Sequence, residues 1–372
     1  LRFGSISEEA SMRIGCPKER KPGETRVALT PASVGALIAD GHAVVMERGA
    51  GQASGYPDAA YAAVGAELAD ASRVWEADLV VKVKEPLPEE FPLISSRTLL
   101  FGFLHLAANR PLAERLTASG ATAFAFELVR APDGSLPLLA PMSQIAGRLA
   151  AEVGVHLLKQ PGPGRGILVG GVAGVPPGRC VIVGSGTVAT AAARALLGLD
   201  AAVTMLSVDL GRLRALYEQY DGRLATRYAS PTALAESFSG ADLAVLAPHV
   251  PGAAAPKVVT RAMVRSMGPG AVLVDVAIDQ GGASETSRPT TLAEPTYVEE
   301  GVVHYCVPNM PAAVPRTSTL ALAEAALPAI RRLARLGPEA AANDVELGPA
   351  LVVRRGRIVH PSVAEALGVT AP

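Results

Sequence analysis

Aromatic residues are scarce in this chain. Phe, Trp and Tyr together make 4% of its 372 residues, and there is a single Trp. Charge of one sign is equally lacking: 34 Lys and Arg stand against 35 Asp and Glu, a formal net charge of −1. That balance leaves no electrostatic footprint for a nucleic-acid backbone or an anionic membrane surface. No uncharged run reaches the ~18 residues that a membrane span requires. Cysteine is limited to Cys16, Cys180 and Cys306. They are few, odd in number and far apart, so they spell neither a disulfide framework nor a metal site, and a reducing cytoplasm is expected. Lysine is rare beside arginine, six residues against 28, a bias read as codon usage. Two of the six, Lys82 and Lys84, lie two positions apart.

Glycine and proline are plentiful, with 37 and 30 residues. A hydrophobic fraction of 49% excludes a disordered chain, and the length suggests two domains. Leu1 to Ser11 lack a charged segment followed by an apolar one, so they are not a signal peptide. They read as an extension, with Met12 as the natural start.

Apolar runs then alternate with helical patterns. Strands are expected at 13–16, 42–47, 78–83, 98–103 and 121–127. Helices are expected from Thr30-Pro31 to Gly41, near 58–69 and near 110–118. A polar turn at 131–137 precedes a helix near 143–159, with Ser143 as its cap. A Gly/Pro-rich stretch at 161–178 leads into a second series. Its strands are expected at 180–184, 201–207, 224–228, 242–247 and 271–276, and its helices at 187–198, 210–219, 231–238 and 260–266. A helix at 317–336 and a strand-like segment at 351–359 end the chain. Strands alternating with helices predict an α/β fold with mostly parallel sheets.

The strongest local motif runs from Cys180 to Ala189 (CVIVGSGTVA). A hydrophobic strand enters G-x-G-x-x-A and then an Ala-rich helix. Gly184 allows the tight turn, Gly186 lets backbone approach a pyrophosphate, and Ala189 permits close helix–strand packing. Thr187 and Val188 lie at the helix N-terminus, where free N–H groups favour an anion. The next strand should end in an acid that holds the adenine ribose. It ends instead in Ser207. Ser207 with Arg212 could accept a 2′-phosphate, or Asp209 could bend back to the ribose. The cofactor is therefore NAD or NADP, tilted toward NADP by the missing acid.

From Met12 onward the chain resembles the alanine dehydrogenase family, whose relatives include the NAD-binding domain of the transhydrogenase alpha subunit. The matching stretches are MRIGCPKERKPGETRVALTP, DLVVKVKEP, LLFGFLHLAA, LPLLAPMSQIAGRLA, VIVGSGTVA, PGAVLVDVAIDQGG, SRPTT and YCVPNMPAAVPRTST. The resemblance implies two Rossmann-like, doubly wound domains. A substrate domain of residues 12–137 and 316–372 would hold an inserted dinucleotide domain of 138–315, with a cleft where nicotinamide meets substrate.

It also implies roles. Arg26 would bind the substrate carboxylate in bidentate fashion. Lys84 would polarise the 2-oxo group. If 79–84 is a strand, Lys82 shares its face, and Lys82 is read as solvated at a strand end. His105 would exchange protons with a substrate oxygen or amine, although a lone His in an apolar run is by itself a core residue more often. Asp279 would accept a proton from ammonia or hold an iminium, while Asp275 reads as structural. Met142, Ser143 and Asn309 match substrate and nicotinamide contacts. His249, in an altered run near the nicotinamide ribose, is grouped with the cofactor contacts; as a residue type it fits a proton carrier or a structural His. The expected partners are a small 2-oxo acid or amino acid and ammonia, in a homo-oligomer, hexamer or dimer. The expected chemistry is NAD(P)-dependent reductive amination, with pyruvate and L-alanine as the default pair. Altered pocket margins leave two alternatives: an imine-reducing or amino-acid-forming enzyme of a specialised pathway, and a non-catalytic nucleotide-binding module.

Overall fold

The computed structural model describes residues 11–248 and 255–370. The chain divides into two compact units, Leu1–Met142 with Val314–Pro372, and Ser143–Ala313.

The first unit opens with β1 (Arg13–Cys16), α1 (Pro31–Ala39), β2 (Ala43–Glu47), α2 (Asp58–Ala63), β3 (Glu67–Ala69), α3 (Ala71–Trp75) and β4 (Leu79–Val81). It continues through β5 (Leu99–Gly102), α4 (Arg110–Ser119) and β6 (Thr122–Ala125) into α5 (Ala140–Leu157). The second unit carries β7 (Arg179–Val183), α6 (Thr187–Gly198), β8 (Ala202–Ser207), α7 (Leu210–Gln219), β9 (Ala225–Tyr228) and α8 (Pro231–Phe238). There follow β10 (Leu243–Leu246), α9 (Arg261–Met267), β11 (Val272–Asp275), β12 (Thr296–Glu299) and β13 (Val302–Tyr305). The chain returns to the first unit with α10 (Pro315–Ala341), β14 (Leu351–Arg354), β15 (Arg357–Ile358) and α11 (Pro361–Leu367).

The first unit's sheet has the order β15-β14-β6-β5-β4-β1-β2-β3, and the second unit's β12-β13-β11-β10-β7-β8-β9. Within each, the parallel strands follow the doubly wound 3-2-1-4-5-6 order, as β3-β2-β1-β4-β5-β6 and β9-β8-β7-β10-β11-β13. Antiparallel strands (β14 and β15 in one, β12 in the other) extend one edge of each sheet. The expected fold class is therefore found. The order reverses between β1 and β4 in one unit and between β7 and β10 in the other, and beyond the strand C-termini at such points α/β sheets hold ligands.

Burial on both faces explains the unbroken apolar strands, such as β5 and β10, whose residues are all buried. In the first unit Val80, Leu100 and Ala123 pack with Leu112 and Leu116 of α4 and with Val363 and Leu367 of α11. In the second, Leu206, Leu246 and Leu273 pack with Phe238 of α8 and Val264 of α9. Each large apolar side chain so buried contributes about 1.5–3 kcal/mol. Caps set the boundaries. Thr30 Oγ1 accepts the Ser33 N–H at 3.2 Å ahead of α1, and Pro31 occupies the first turn.

Three local expectations need correction, and one hairpin was missed. The helix near 58–69 stops at Ala63, and Glu67–Ala69 pairs in parallel with β2 as an edge strand. Helix α5 begins at Ala140, so Ser143 lies inside it rather than capping it. The β12–β13 hairpin was not anticipated. The segment at 351–359 is itself a hairpin, turned by Arg355 (φ 47°) and Gly356 (φ 73°).

Candidate functional site

In the second unit β7 delivers the glycine turn. Gly184 has φ 112°, and a Cβ there would lie 2.4 Å from the Ala247 carbonyl oxygen, so glycine is required by the protein itself. Gly186 is different. Its φ is −74°, open to any residue, and a Cβ would meet nothing within 4 Å. Packing does not ask for glycine there. The bare space adjoins the N-terminus of α6, where the first N–H groups, those of Thr187, Val188 and Ala189, have no intrahelical partner. Such a bare helix N-terminus could hold an anion such as a pyrophosphate. Ala189 is fully buried, as close helix–strand packing demands.

Ser207 ends β8 in a buried position. Its Oγ lies 2.8 Å from Ser185 Oγ, within the glycine turn, and accepts the Asp209 N–H at 3.2 Å. Asp209 caps α7: its Oδ1 accepts the Arg212 N–H at 2.9 Å. Arg212 in turn donates from Nε to the Ser185 carbonyl at 3.2 Å. Ser185, Ser207, Asp209 and Arg212 thus form one linked group beside the turn.

Asp279 and Asn309 also come together. Asp279 is exposed just past β11, and its Oδ2 accepts the Asn309 N–H at 3.2 Å. Asn309 holds a left-handed backbone, φ 56°. Asp275 is fully buried and structural: it accepts the Ala277 and Ala283 N–H groups and the Ser287 hydroxyl, at 3.0, 2.7 and 2.6 Å. Burial pushes its carboxyl above the usual range. Its bonds bracket the turn that carries Asp279. His249 lies outside the described residues.

In the first unit, the loop after β1 carries Arg26, 2% exposed. The guanidinium is gripped by Glu24, Nε to Oε1 at 2.7 Å and Nη2 to Oε2 at 2.6 Å, while Nη1 meets Met142 Sδ at 3.0 Å. One edge of the fork expected to take a substrate carboxylate is therefore held by Glu24. A cavity of about 230 Å³ opens here, lined by Lys18, Glu19, Glu24, Arg26 and Gln52 among others.

The segment after β4 corrects a second expectation. Lys82 is not solvated but fully buried, with Nζ donating to Glu90 Oε1 at 2.6 Å and lying 3.7 Å from Glu19 Oε2. Strand β4 ends at Val81, and the two lysines enter different surroundings. Lys84 is half-buried, its Nζ 5.9 Å from the centre of the Phe103 ring. His105 stacks on the same ring at 6.0 Å with an interplanar angle of 8°. The isolated-residue expectation of a core histidine fails: His105 is exposed, turned out by a left-handed backbone (φ 44°). Glu127 fixes that turn, accepting the His105 N–H at 2.7 Å and the Leu104 N–H at 3.3 Å. Phe103 therefore joins Lys84 to His105. Glu19 joins Lys84 to the Arg26 cavity, because it lines that cavity and accepts the Lys84 N–H at 3.3 Å.

Glu19, Glu24, Phe103 and Glu127 were not singled out from the sequence. Glu24 alone had a local signal, an acid two residues before Arg26. Among the described residues no helix is long and apolar enough to cross a membrane, and no cluster of His, Cys, Asp or Glu could hold a metal.

Two family models match the chain. Residues 15–146 match the alanine dehydrogenase/PNT N-terminal domain, and residues 150–361 the alanine dehydrogenase/PNT C-terminal domain. An alanine dehydrogenase from Halomonas elongata is 50% identical over 361 residues, 96% of this chain and 97% of that one. A solved L-alanine dehydrogenase superposes with a TM-score of 0.93 at 45% identity, covering 96% of this chain and 99% of that one. A solved transhydrogenase from Sinorhizobium meliloti gives a TM-score of 0.80 at 26% identity, covering 94% and 99%.

Proposed function

The chain belongs to the alanine dehydrogenase/PNT family, and we propose that it interconverts a small 2-oxo acid and an L-amino acid, with pyruvate and L-alanine as the default pair. It is an oxidoreductase of the amino-acid dehydrogenase kind, working with a nicotinamide dinucleotide. The observation that carries the reading is where the polar residues sit. Lys84 follows β4, which flanks the reversal of strand order in one sheet, and His105 follows β5, the strand beside β4. Asp279 follows β11 of the other sheet, which also carries the glycine turn. A module that only bound nucleotide would have no use for Arg26, Lys84 and His105.

We assign the first unit to the substrate and the second to the dinucleotide. Gly184, Gly186 and the N–H groups of Thr187, Val188 and Ala189 would hold the pyrophosphate, and Ser143 and His249 are assigned to the nicotinamide end. When bound, the nicotinamide would supply a hydride to the substrate carbon. The rest falls to side chains. The substrate carboxylate meets Arg26 on its Nη1 side, beside Met142, while Glu24 holds the opposite edge rigid. The Lys84 ammonium polarises the 2-oxo group and stabilises charge that develops on its oxygen. His105 gives a proton to the leaving oxygen, and Asp279, steadied by Asn309, takes one from ammonia. Orientation and electrostatics are the protein's share of the work.

For the adenine ribose we favour NADP over NAD. No acid ends β8, the Asp209 carboxylate already caps α7, and Arg212 lies against the turn with a guanidinium suited to a phosphate. We place the enzyme in the cytoplasm as a homo-oligomer, hexamer or dimer; all three cysteines are free and buried.

The test is a hydride-transfer screen of NADH and NADPH with ammonium and a panel of 2-oxo acids. Turnover of pyruvate or a close homologue is expected. Absence of turnover on every 2-oxo acid would sink the dehydrogenase reading, and turnover of preformed imines alone would favour the imine-reducing alternative.

A further inference from the structure

We propose that the buried Glu19–Lys82–Glu90 triad is a positioning device for Lys84. The inference rests on the reading that Lys84 faces the 2-oxo acid.

Three charged side chains lie almost wholly out of water, with side-chain exposures of 2% for Glu19, 0% for Lys82 and 4% for Glu90. Each carboxylate has a second task besides the ammonium. Glu19 accepts the Val83 N–H at 2.7 Å and the Lys84 N–H at 3.3 Å. Glu90 accepts the Leu87 N–H at 3.0 Å. The backbone from Val83 to Leu87 is thus pinned at both ends by carboxylates that share one lysine. Lys84 is carried on that short span.

A buried ion group of this kind is a poor device for stability, since well-packed apolar residues do as well or better. Its yield here is geometric. The segment follows β4, beside the reversal of strand order, where the Phe103 N–H donates to the Val83 carbonyl at 3.1 Å. Lys21 adds an outer tie to the same span, donating to Glu85 at 2.6 Å. Burial pushes Glu19 up to about 7; burial also opposes the charge on Lys82, but Glu19 and Glu90 outweigh it and raise the lysine. With the span held, the Lys84 side chain starts from one defined backbone position beside Phe103 and His105.

Positioning and mere stabilisation separate in a double-mutant cycle. Glu19→Gln is made in the full chain and again in a Lys84→Ala background. kcat and KM are measured for pyruvate with ammonium, together with the dissociation constant for NADPH. Glu19→Gln alone should lower kcat/KM for pyruvate by about 10²-fold, the effect of a displacement near 1 Å, with NADPH binding unchanged. In the Lys84→Ala background the same substitution should cost less than threefold. An equal loss in both backgrounds overturns the inference, because the triad would then act on the fold and not through Lys84. If Lys84→Ala itself leaves pyruvate turnover intact, it is the assignment of Lys84 that fails. Should Glu19→Gln not fold, Glu90→Gln decides by the same cycle, since it leaves both Glu19 contacts to the backbone in place.

Discussion

Replacing Gly186 by Ala separates the protein's own need for glycine from the ligand's. The added methyl has open space, with no atom within 4 Å, and the backbone (φ −74°, ψ −172°) suits alanine. The loss of unfolded-state freedom stabilises such a variant by about 0.4–1 kcal/mol. Gly186 is also the N-cap of α6, where alanine costs up to about 1 kcal/mol relative to better caps. These nearly cancel, so the melting temperature should move little. Dinucleotide binding should not survive as well. The methyl would stand where the proposed site brings in the pyrophosphate, and lifting that group off two N–H groups of α6 would forfeit two charge-assisted bonds of about 1.5–3 kcal/mol each. The expected loss is at least 10²-fold in affinity for NADPH and NADH, read by fluorescence titration. Gly184→Ala is the contrast: it forces a positive-φ residue against the Ala247 carbonyl and should lower the melting temperature as well. Unchanged cofactor affinity in a folded Gly186→Ala protein would refute the proposed site.

Ser207→Asp puts a carboxylate between the Ser185 hydroxyl and the Asp209 N–H, where it can receive a ribose 2′-OH and repel a 2′-phosphate. One charge-assisted bond gained predicts a shift of about 10- to 150-fold in the ratio of kcat/KM for NAD over NADP, and an unchanged ratio means that this position does not read the 2′ group. His105→Ala should cut pyruvate turnover by about 10²–10⁴-fold while cofactor titration stays as it was; retained turnover would return His105 to a purely conformational role. Glu19 links stability to pH. Its pKa rises from 4.5 to about 7 because burial penalises the carboxylate, so the folded state holds the proton more tightly. The stability it contributes is complete below about 4.5 and is lost as the pH rises through about 7. The loss is roughly 3 kcal/mol. Urea unfolding at pH 5 and pH 8 should show this fall in the parent and a smaller one in Glu19→Gln; equal slopes would remove Glu19 as its source.

The strands were legible because a strand buried on both faces leaves an unbroken apolar run, as in Leu243–Leu246, and a helix between two such runs needs only a cap and a stop, as at Thr30 and Gly41. Short edge elements were not legible. Glu67–Ala69 has one polar and two apolar residues, too few to set a period of two against the helical pattern before it. It becomes a strand only because Val45, Met46 and Glu47 lie alongside. The charged residues divide in the same way. Gly184 and Gly186 announce themselves by spacing. Lys82 and Lys84 look alike in sequence, and only the distant Glu19 and Glu90 decide that one is buried and paired. Glu24 stands two residues before Arg26, but only the folded loop shows that it holds one edge of the Arg26 fork.

The two units share one strand order, and on the proposed assignment they solve different recognition problems with it. The second unit bares backbone at the turn after β7, where glycine would clear the path of a large phosphorylated ligand and leave helix N–H groups to meet it. A 2-oxo acid is too small to span several backbone donors. A first unit that takes this substrate would need long charged side chains after β1 and β4, and long side chains must themselves be held. Glu24 on Arg26, the Glu19–Lys82–Glu90 group under Lys84, and Phe103 against Lys84 and His105 are those supports. The same crevice position that costs one unit glycines costs the other buried carboxylates. That is why the substitutions proposed above should fail differently: by blocked approach at Gly186, and by lost alignment at Glu19.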